Sequence, residues 1–269
     1  MRPSTRMVVL GGRKLWTPGN ISTALWLDAN DASTITLNGS TVSQWRDKSG
    51  NNRHASQETV ANQPTRTLNG LGGRTVITFD GVDDYLAAAS ALIDTTHSFF
   101  ILFTPTIENQ TGSVFGQWSA GQTGRFTILV NQNSSGSASA GRLNAFNASS
   151  TQGAGSGGHT TDVDISDTPT LITSISTTGS EQWKLLKNGT EWDSATVTSV
   201  YTGVSSAIGS LNATGTLLPF DGTVSELISF SSVLSTTDRQ RIEGYLAHKW
   251  GLTDNLPSDH PFKFTPPIA

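Results

Sequence analysis

Cysteine is absent from the 269-residue chain, so no disulfide can staple it and no thiolate can hold a metal or attack a substrate. Charge is sparse: 14% of residues are Asp, Glu, Lys or Arg, and the formal net charge is −4. That balance argues against nucleic-acid binding, which needs a cationic surface for phosphates. No apolar run approaches the roughly 18 residues that span a bilayer, so membrane insertion is not expected. The first twelve residues are positively charged, but their apolar stretch is too short for a secretory leader. Missing as well is any tight alternation of carboxylates. Same-face residues on a strand recur at every second position, and a retaining glycosidase needs two carboxyls about 5–5.5 Å apart. Glu181, Glu191 and Glu226 stand alone, Asp162 and Asp164 lie in a loop without a partner glutamate, and no serine sits in a nucleophile-elbow context. The expectation is a protein that is not an enzyme.

What is abundant is Thr, Ser and Gly, at 37, 33 and 27 copies. Threonine suits half-exposed pleated strands, and glycine and serine suit many short turns, so composition favours an all-β chain. Its length fits one large β-sandwich. Alternating or continuous apolar runs place strands at 24–27, 42–45, 75–79, 97–104, 113–118, 125–131, 170–176, 182–187 and 204–209. Residues 133–161 are nearly all small and polar around one apolar island, 143–146, which reads as a weak strand between two long loops. Asn188-Gly189 is a strong hairpin signal. The run 221–230 alternates, but too imperfectly to say which face is buried. One helix is expected over 235–250, with Ser235 as N-cap, Ile242, Tyr245, Leu246 and Lys249 or Trp250 on one stripe, and Gly251 as the stop.

The ends differ from the middle. Residues 1–20 carry Arg2, Arg6, Arg13 and Lys14 and no acidic residue. They read as a basic arm that orders against a partner, with Val8, Val9 and Leu10 available as an added strand. Residues 252–269 contain four prolines and are expected to wrap, extended, over the surface of a sandwich spanning 21–251.

Four motifs occur in order: Asp47-Lys48-Ser49-Gly50-Asn51, Phe79-Asp80-Gly81-Val82-Asp83-Asp84-Tyr85, Leu186-Lys187-Asn188-Gly189, and Phe220 to Glu226 followed by Val233-Leu234-Ser235. Their order resembles the laminin-G-like, concanavalin-A-like jelly rolls over roughly residues 24–250, with 79–86 matching that family's first inner-sheet hairpin. Two features depart from it: the strand before the Asn-Gly hairpin has no Trp-His pair, and a C-terminal helix is added. The helix, with Leu25-Trp26-Leu27-Asp28-Ala29, is similar to a subgroup of bacteriophage structural and bacterial surface proteins.

The resemblance implies a virion structural or attachment component, homo-oligomeric within a particle, docked on other virion proteins through Arg2, Arg6, Val8, Val9, Leu10, Arg13 and Lys14, with its sandwich available to host-surface glycans. The alternative is a carbohydrate-binding module on a bacterial cell surface, and a glycoside hydrolase comes third. The candidate glycan-stacking residues are Trp118, Trp183 and Trp192, which lie near turns, whereas Trp26, Trp45 and Trp250 sit in core-like patterns. A single cofactor is considered: calcium at Asp47, Ser49 and Asn51, whose oxygens alternate through a glycine turn. An Asx turn that caps its own backbone explains the same residues without an ion, and Asp80, Asp83 and Asp84 carry the same ambiguity.

Overall fold

The computed structural model describes residues 14–118, 125–132, 137–148, 159–165, 169–177, 182–196 and 204–269. In chain order the strands are β1 (Leu25–Asp28), β2 (Ile35–Asn38), β3 (Thr41–Trp45), β4 (Ala55–Ser56), β5 (Thr65–Thr67), β6 (Val76–Asp80), β7 (Leu86–Ala88), β8 (His97–Pro105) and β9 (Gly112–Gln117). They continue as β10 (Arg125–Gln132), β11 (Ala138–Ala148), β12 (His159–Asp164), β13 (Thr170–Ser176), β14 (Gln182–Lys187), β15 (Thr190–Thr196), β16 (Ser206–Ile208) and β17 (Asp221–Phe230). The helix α1 (Thr236–Trp250) follows.

All pairings are antiparallel and form two layers. In the first, β1 and β6 lie end to end along one edge of β17, β5 lies outside β6, and the other side runs β17–β8–β13–β14–β15. The second runs β2–β3–β4–β7–β16–β9–β10–β11–β12. A single pair, Thr41 with Thr65, joins the layers. Phe99, Ile101, Phe103, Val224 and Leu227 from the first layer meet Trp45, Phe115, Phe126, Ile128 and Leu143 from the second in one apolar core. The architecture is an all-β jelly-roll sandwich with one C-terminal helix.

That helix covers the outer face of the first layer. Ile242, Leu246 and Trp250 pack on Phe100, Leu102, Ile228 and Phe230. The Ser235 hydroxyl accepts the Asp238 N–H at 3.1 Å, and Gly251, at φ 75°, closes the C-terminus. The double burial explains the broken alternation of β17. Val224 pairs with Phe103 and Glu226 with Leu102, leaving Ser225 as a bulge. The extra residue inverts the facing, so Val224 and Leu227 point into the core while Ile228 and Phe230 meet the helix.

The structure corrects four expectations. Residues 79–86 are not a hairpin within one sheet: β6 pairs with β17 and β5, and β7 pairs with β16 and β4. Their turn carries the chain between layers, because its N–H groups bond to aspartate side chains and a distant carbonyl rather than to a ladder. Val82 N and Asp83 N donate to Asp80 Oδ1, Asp80 N to Asp84 Oδ2, and Gly81 N to the Phe220 carbonyl. The island 143–146 belongs to an 11-residue strand, since β10 and β12 supply ladder bonds on both sides whatever its own propensity. The arm does not extend to residue 20. Trp16 is buried in the helix-side core, Leu15 bridges Ile268, and the Lys14 carbonyl accepts the Ala269 N–H; the indole supplies the apolar area a purely basic arm would lack. Arg2, Arg6, Val8, Val9, Leu10 and Arg13 lie outside the described residues. Finally, the tail wraps the helix in turns rather than extended. Gly244 makes this possible, for a Cβ there would stand 2.4 Å from that of Phe262.

Candidate functional site

Carboxylates come first, because hydrolysis would need them. Glu226 is fully buried between β17 and α1. Its Oε1 accepts Trp26 Nε1 at 2.7 Å and the Tyr245 hydroxyl at 3.0 Å, and its Oε2 accepts Lys249 Nζ and Trp250 Nε1, both at 2.7 Å. Lys249 also holds Asp28 at 2.7 Å, and Lys48 bridges Asp28 and Asp31 at 2.9 and 2.7 Å. Burial pushes the Glu226 carboxyl above its ordinary range, opposed by the charge of Lys249. Lys48 holds Asp31 down to about 2. Glu243, equally buried, takes Arg239 Nη1 across both its oxygens, at 2.7 and 2.8 Å, and His260 Nε2 at 3.2 Å. These groups tie the helix and tail to the sandwich, and Glu226 and Glu243 themselves are closed to water and sugar. Glu191 is exposed and pairs with Lys184 at 3.2 Å. Asp162 and Glu181 are not among the described side chains.

The Asp47 turn is equally committed. Asp47 Oδ1 accepts Trp26 N and Ser49 N at 2.9 and 2.8 Å, and Oδ2 accepts the Ser49 hydroxyl and Arg53 N at 2.7 and 3.1 Å. Asn51 turns its Nδ2 inward, donating to the Thr23 and Ala24 carbonyls at 3.0 and 3.1 Å. Asp47, Ser49 and Asn51 thus come together, but as a clasp in which the carboxylate lone pairs meet N–H and O–H donors. Among the described residues one group of carboxylates has metal-like spacing: Asp80, Asp83 and Asp84, with ligand atoms within 4.8 Å of one another. Burial, reinforced by the charge of Asp80, raises Asp84 to about 6.

The three nominated tryptophans are dispersed. Trp183 is 1% exposed and donates its indole N–H to Ser174 at 2.9 Å, so it is a core residue and cannot stack on a ligand. Leu185 of the same strand and Phe126 of β10 share the core with it. Trp118 is half-buried one residue beyond β9. Trp192, on β15, packs beside Val163 of β12 against the inter-sheet core, where the edges of the two layers approach. Here the surface opens into a cleft of about 290 Å³ lined by Val163, Lys187, Asn188, Thr190, Trp192 and Asn255. Asn188 (φ 51°) and Gly189 (φ 85°) form the tight turn between β14 and β15, both left-handed as a two-residue hairpin loop requires. That turn sets Thr190 and Trp192 on the cleft wall. The Asn188 carbonyl oxygen Oδ1 accepts Leu171 N at 2.9 Å, and Asn255 Nδ2 donates to the Pro169 carbonyl at 3.3 Å. Sequence reading missed Lys187, Asn188, Thr190 and Asn255 as lining residues: the Asn-Gly signal identified the turn, but nothing local brings the tail beside it.

Among the described residues, two further clefts of comparable size are present. One, of about 500 Å³, is polar and includes Ser22, Thr23, Ser49 and Asn51, with Trp26 at its base. Lys48 lies 4.3 Å from that indole's ring centre and Tyr245 meets its edge, so Trp26 is covered. The other, of about 400 Å³, lies between Trp16, Tyr245 and Pro267.

No protein family's sequence profile matches this chain, and no curated protein matches it in sequence. Solved structures do. Domain 4 of AbnA, an extracellular GH43 arabinanase from Geobacillus stearothermophilus solved in complex with arabinotriose, superposes with a TM-score of 0.55 at 15% identity, over 80% of this chain and 95% of that one. The binding domain of botulinum neurotoxin serotype D superposes with a TM-score of 0.55 at 12% identity over 82% of this chain. This chain spans 50% of that domain's length. At these identities the likeness is one of fold.

Proposed function

We propose that this domain is a non-catalytic carbohydrate-binding module, held outward on a bacterial surface or secreted protein, with its ligand seated in the cleft at Trp192. The observation that carries the reading is the company of that indole. A partly exposed aromatic face stands beside the side chains of Asn188, Thr190, Lys187 and Asn255 in a shallow cleft on rigid strands. An apolar platform with a few fixed polar groups at its rim suits a sugar, which offers C–H groups on one face and hydroxyls at its edge. The buried glutamates, all engaged in ion pairs and hydrogen bonds, favour binding over hydrolysis. The arabinanase domain, similar in fold and solved with arabinotriose, supports the ligand class. The phage-like combination of β1 and α1 favours a second form of the same role, a virion attachment protein gripping host glycans.

A glycan array probed with the intact chain tests the reading, followed by calorimetric titration of the oligosaccharides that bind. Trp192→Ala is expected to lower affinity at least roughly tenfold, a change of about 1.4 kcal/mol. The exposed Asn255→Ala should weaken it several-fold without changing the melting temperature. Binding that survives both substitutions, or an array with no hit, would sink the proposal.

A further inference from the structure

A cation with no counter-ion among the described residues lies on the opposite layer. Arg125 opens β10, and its guanidinium lies 4.0 Å from the centre of the Phe146 ring on β11. Thr127 pairs with Phe146, and Phe126 points into the core. By the two-residue alternation of strands, Arg125 and Phe146 therefore share the outer face of the second layer. Gln117 pairs with Phe126, so Trp118, the next residue, comes opposite Arg125 on that same face. Arg125 Nε is buried, and among the described residues nothing bonds to it; Trp118 Nε1 is in the same state. Burial depresses the guanidinium from its ordinary range. A desolvated arginine is costly unless its in-plane donors find an anion. Stacking on Phe146 satisfies its face and leaves its in-plane N–H donors without an acceptor among the described residues. Elsewhere the chain meets its desolvated cations carefully, placing Lys48, Lys249 and Arg239 each against carboxylates.

We infer that Arg125, Trp118 and Phe146 form a second subsite, for the oxyanion of an acidic saccharide: the guanidinium edge and the indole N–H receive a carboxylate or sulfate ester, and Phe146 fixes the guanidinium plane. The saccharide half of this statement rests on the carbohydrate-binding reading above, and the anionic half on Arg125 alone.

The test titrates the intact chain with glucuronic acid, glucose 6-sulfate, glucose and inorganic sulfate, following ligand-observed NMR. One or both acidic sugars should bind at least roughly tenfold more tightly than glucose and than inorganic sulfate, and added salt should weaken that binding. The comparison of the two acids tells carboxylate from sulfate ester. Arg125→Gln should abolish the preference, Arg125→Lys should recover little of it because an ammonium lacks the planar edge, and Trp118→Phe should weaken it several-fold. All three variants should keep the parent melting temperature, as should their binding of neutral oligosaccharides at Trp192. Acidic sugars that bind no better than glucose, or an Arg125→Gln protein that still prefers them, would overturn the subsite while leaving the Trp192 cleft standing. Sulfate binding as tightly as the sugar acids would reduce it to a bare anion site and refute the saccharide. A marked loss of melting temperature in Arg125→Gln would show that the stack on Phe146 is structural support, and would equally refute it.

Discussion

Replacing Lys249 by methionine removes one charge from the most densely bonded point of the molecule while keeping its aliphatic stem. The ammonium stands 2.7 Å from both Asp28 Oδ1 and Glu226 Oε2, where the two carboxylate side chains are only 6% and 0% exposed. Without it, Asp28 keeps Lys48, but Glu226 keeps neutral donors alone, from Trp26, Tyr245 and Trp250. Breaking a buried pair from one side costs about 3–5 kcal/mol, because the remaining charge stays desolvated. The variant should therefore lose that much unfolding free energy near neutral pH, read from urea titrations followed by tryptophan fluorescence. The pH dependence is the sharper half of the prediction. Burial already raises Glu226 with Lys249 present, and without the lysine its folded-state pKa rises further. A group raised on folding stabilises the fold below its unfolded value and loses that contribution as pH climbs through the folded one. The deficit of Lys249→Met should thus shrink as the medium is acidified from about pH 8 towards about pH 5. Glu226→Gln should not rescue it, since one end of the amide would present N–H against the indole N–H of Trp250 or Trp26. A deficit below about 1 kcal/mol, the range of an exposed pair, or one independent of pH, would refute the assignment of a buried network.

Three further outcomes follow from the same fold. Leu246→Asp buries a charge against Phe100 and Ile228 and should cost several kcal/mol, whereas Arg241→Asp, on the outer side of the helix, should cost little; equal melting temperatures would show that the helix does not pack as described. His97 is fully buried, and burial depresses it to about 4. It folds neutral, so stability is intact above the unfolded value near 6.5 and falls by about 3 kcal/mol as pH drops through 4; His97→Gln should flatten that slope, and an unchanged slope would count against it. Deleting residues 1–13 should leave the melting temperature unaltered, while deleting residues 1–20 removes Trp16 and should cost about 3–5 kcal/mol, the range for emptying a buried tryptophan site.

Local chemistry announced most of the fold. Strand positions, the Asn188-Gly189 turn and the Ser235-to-Gly251 helix all depend on neighbours within a few residues, and the structure places each where its signals stand. What failed depended on distant partners. The inward face of 221–230 turned on a bulge at Ser225, which only the pairing with β8 specifies. The turn at 80–84 looked like a hairpin because its aspartates and glycine reverse the chain, yet which layer receives β7 is settled by β16, more than 100 residues on. Trp183 and Trp192 sit on the two strands of one hairpin, and nothing local tells that one enters the core and the other the cleft wall. Arg125 drew no notice in the sequence, since its lack of an acidic partner among the described residues is a property of the assembled face.

The bridge between Leu15 and Ile268 brings the two ends of the folded unit to a single seam, with the sandwich hanging to one side of it like a bead on a clasp. A polypeptide threaded through this domain would enter and leave at nearly the same point. Copies joined end to end would therefore add little length to a fibre and much width. Tension along such a fibre would load the seam, a single bridge backed by Trp16 N–H on the Pro267 carbonyl and Ala269 N–H on that of Lys14, before it reached any ladder of the sandwich. The seam would part first, releasing slack while the strands of the sandwich stayed folded.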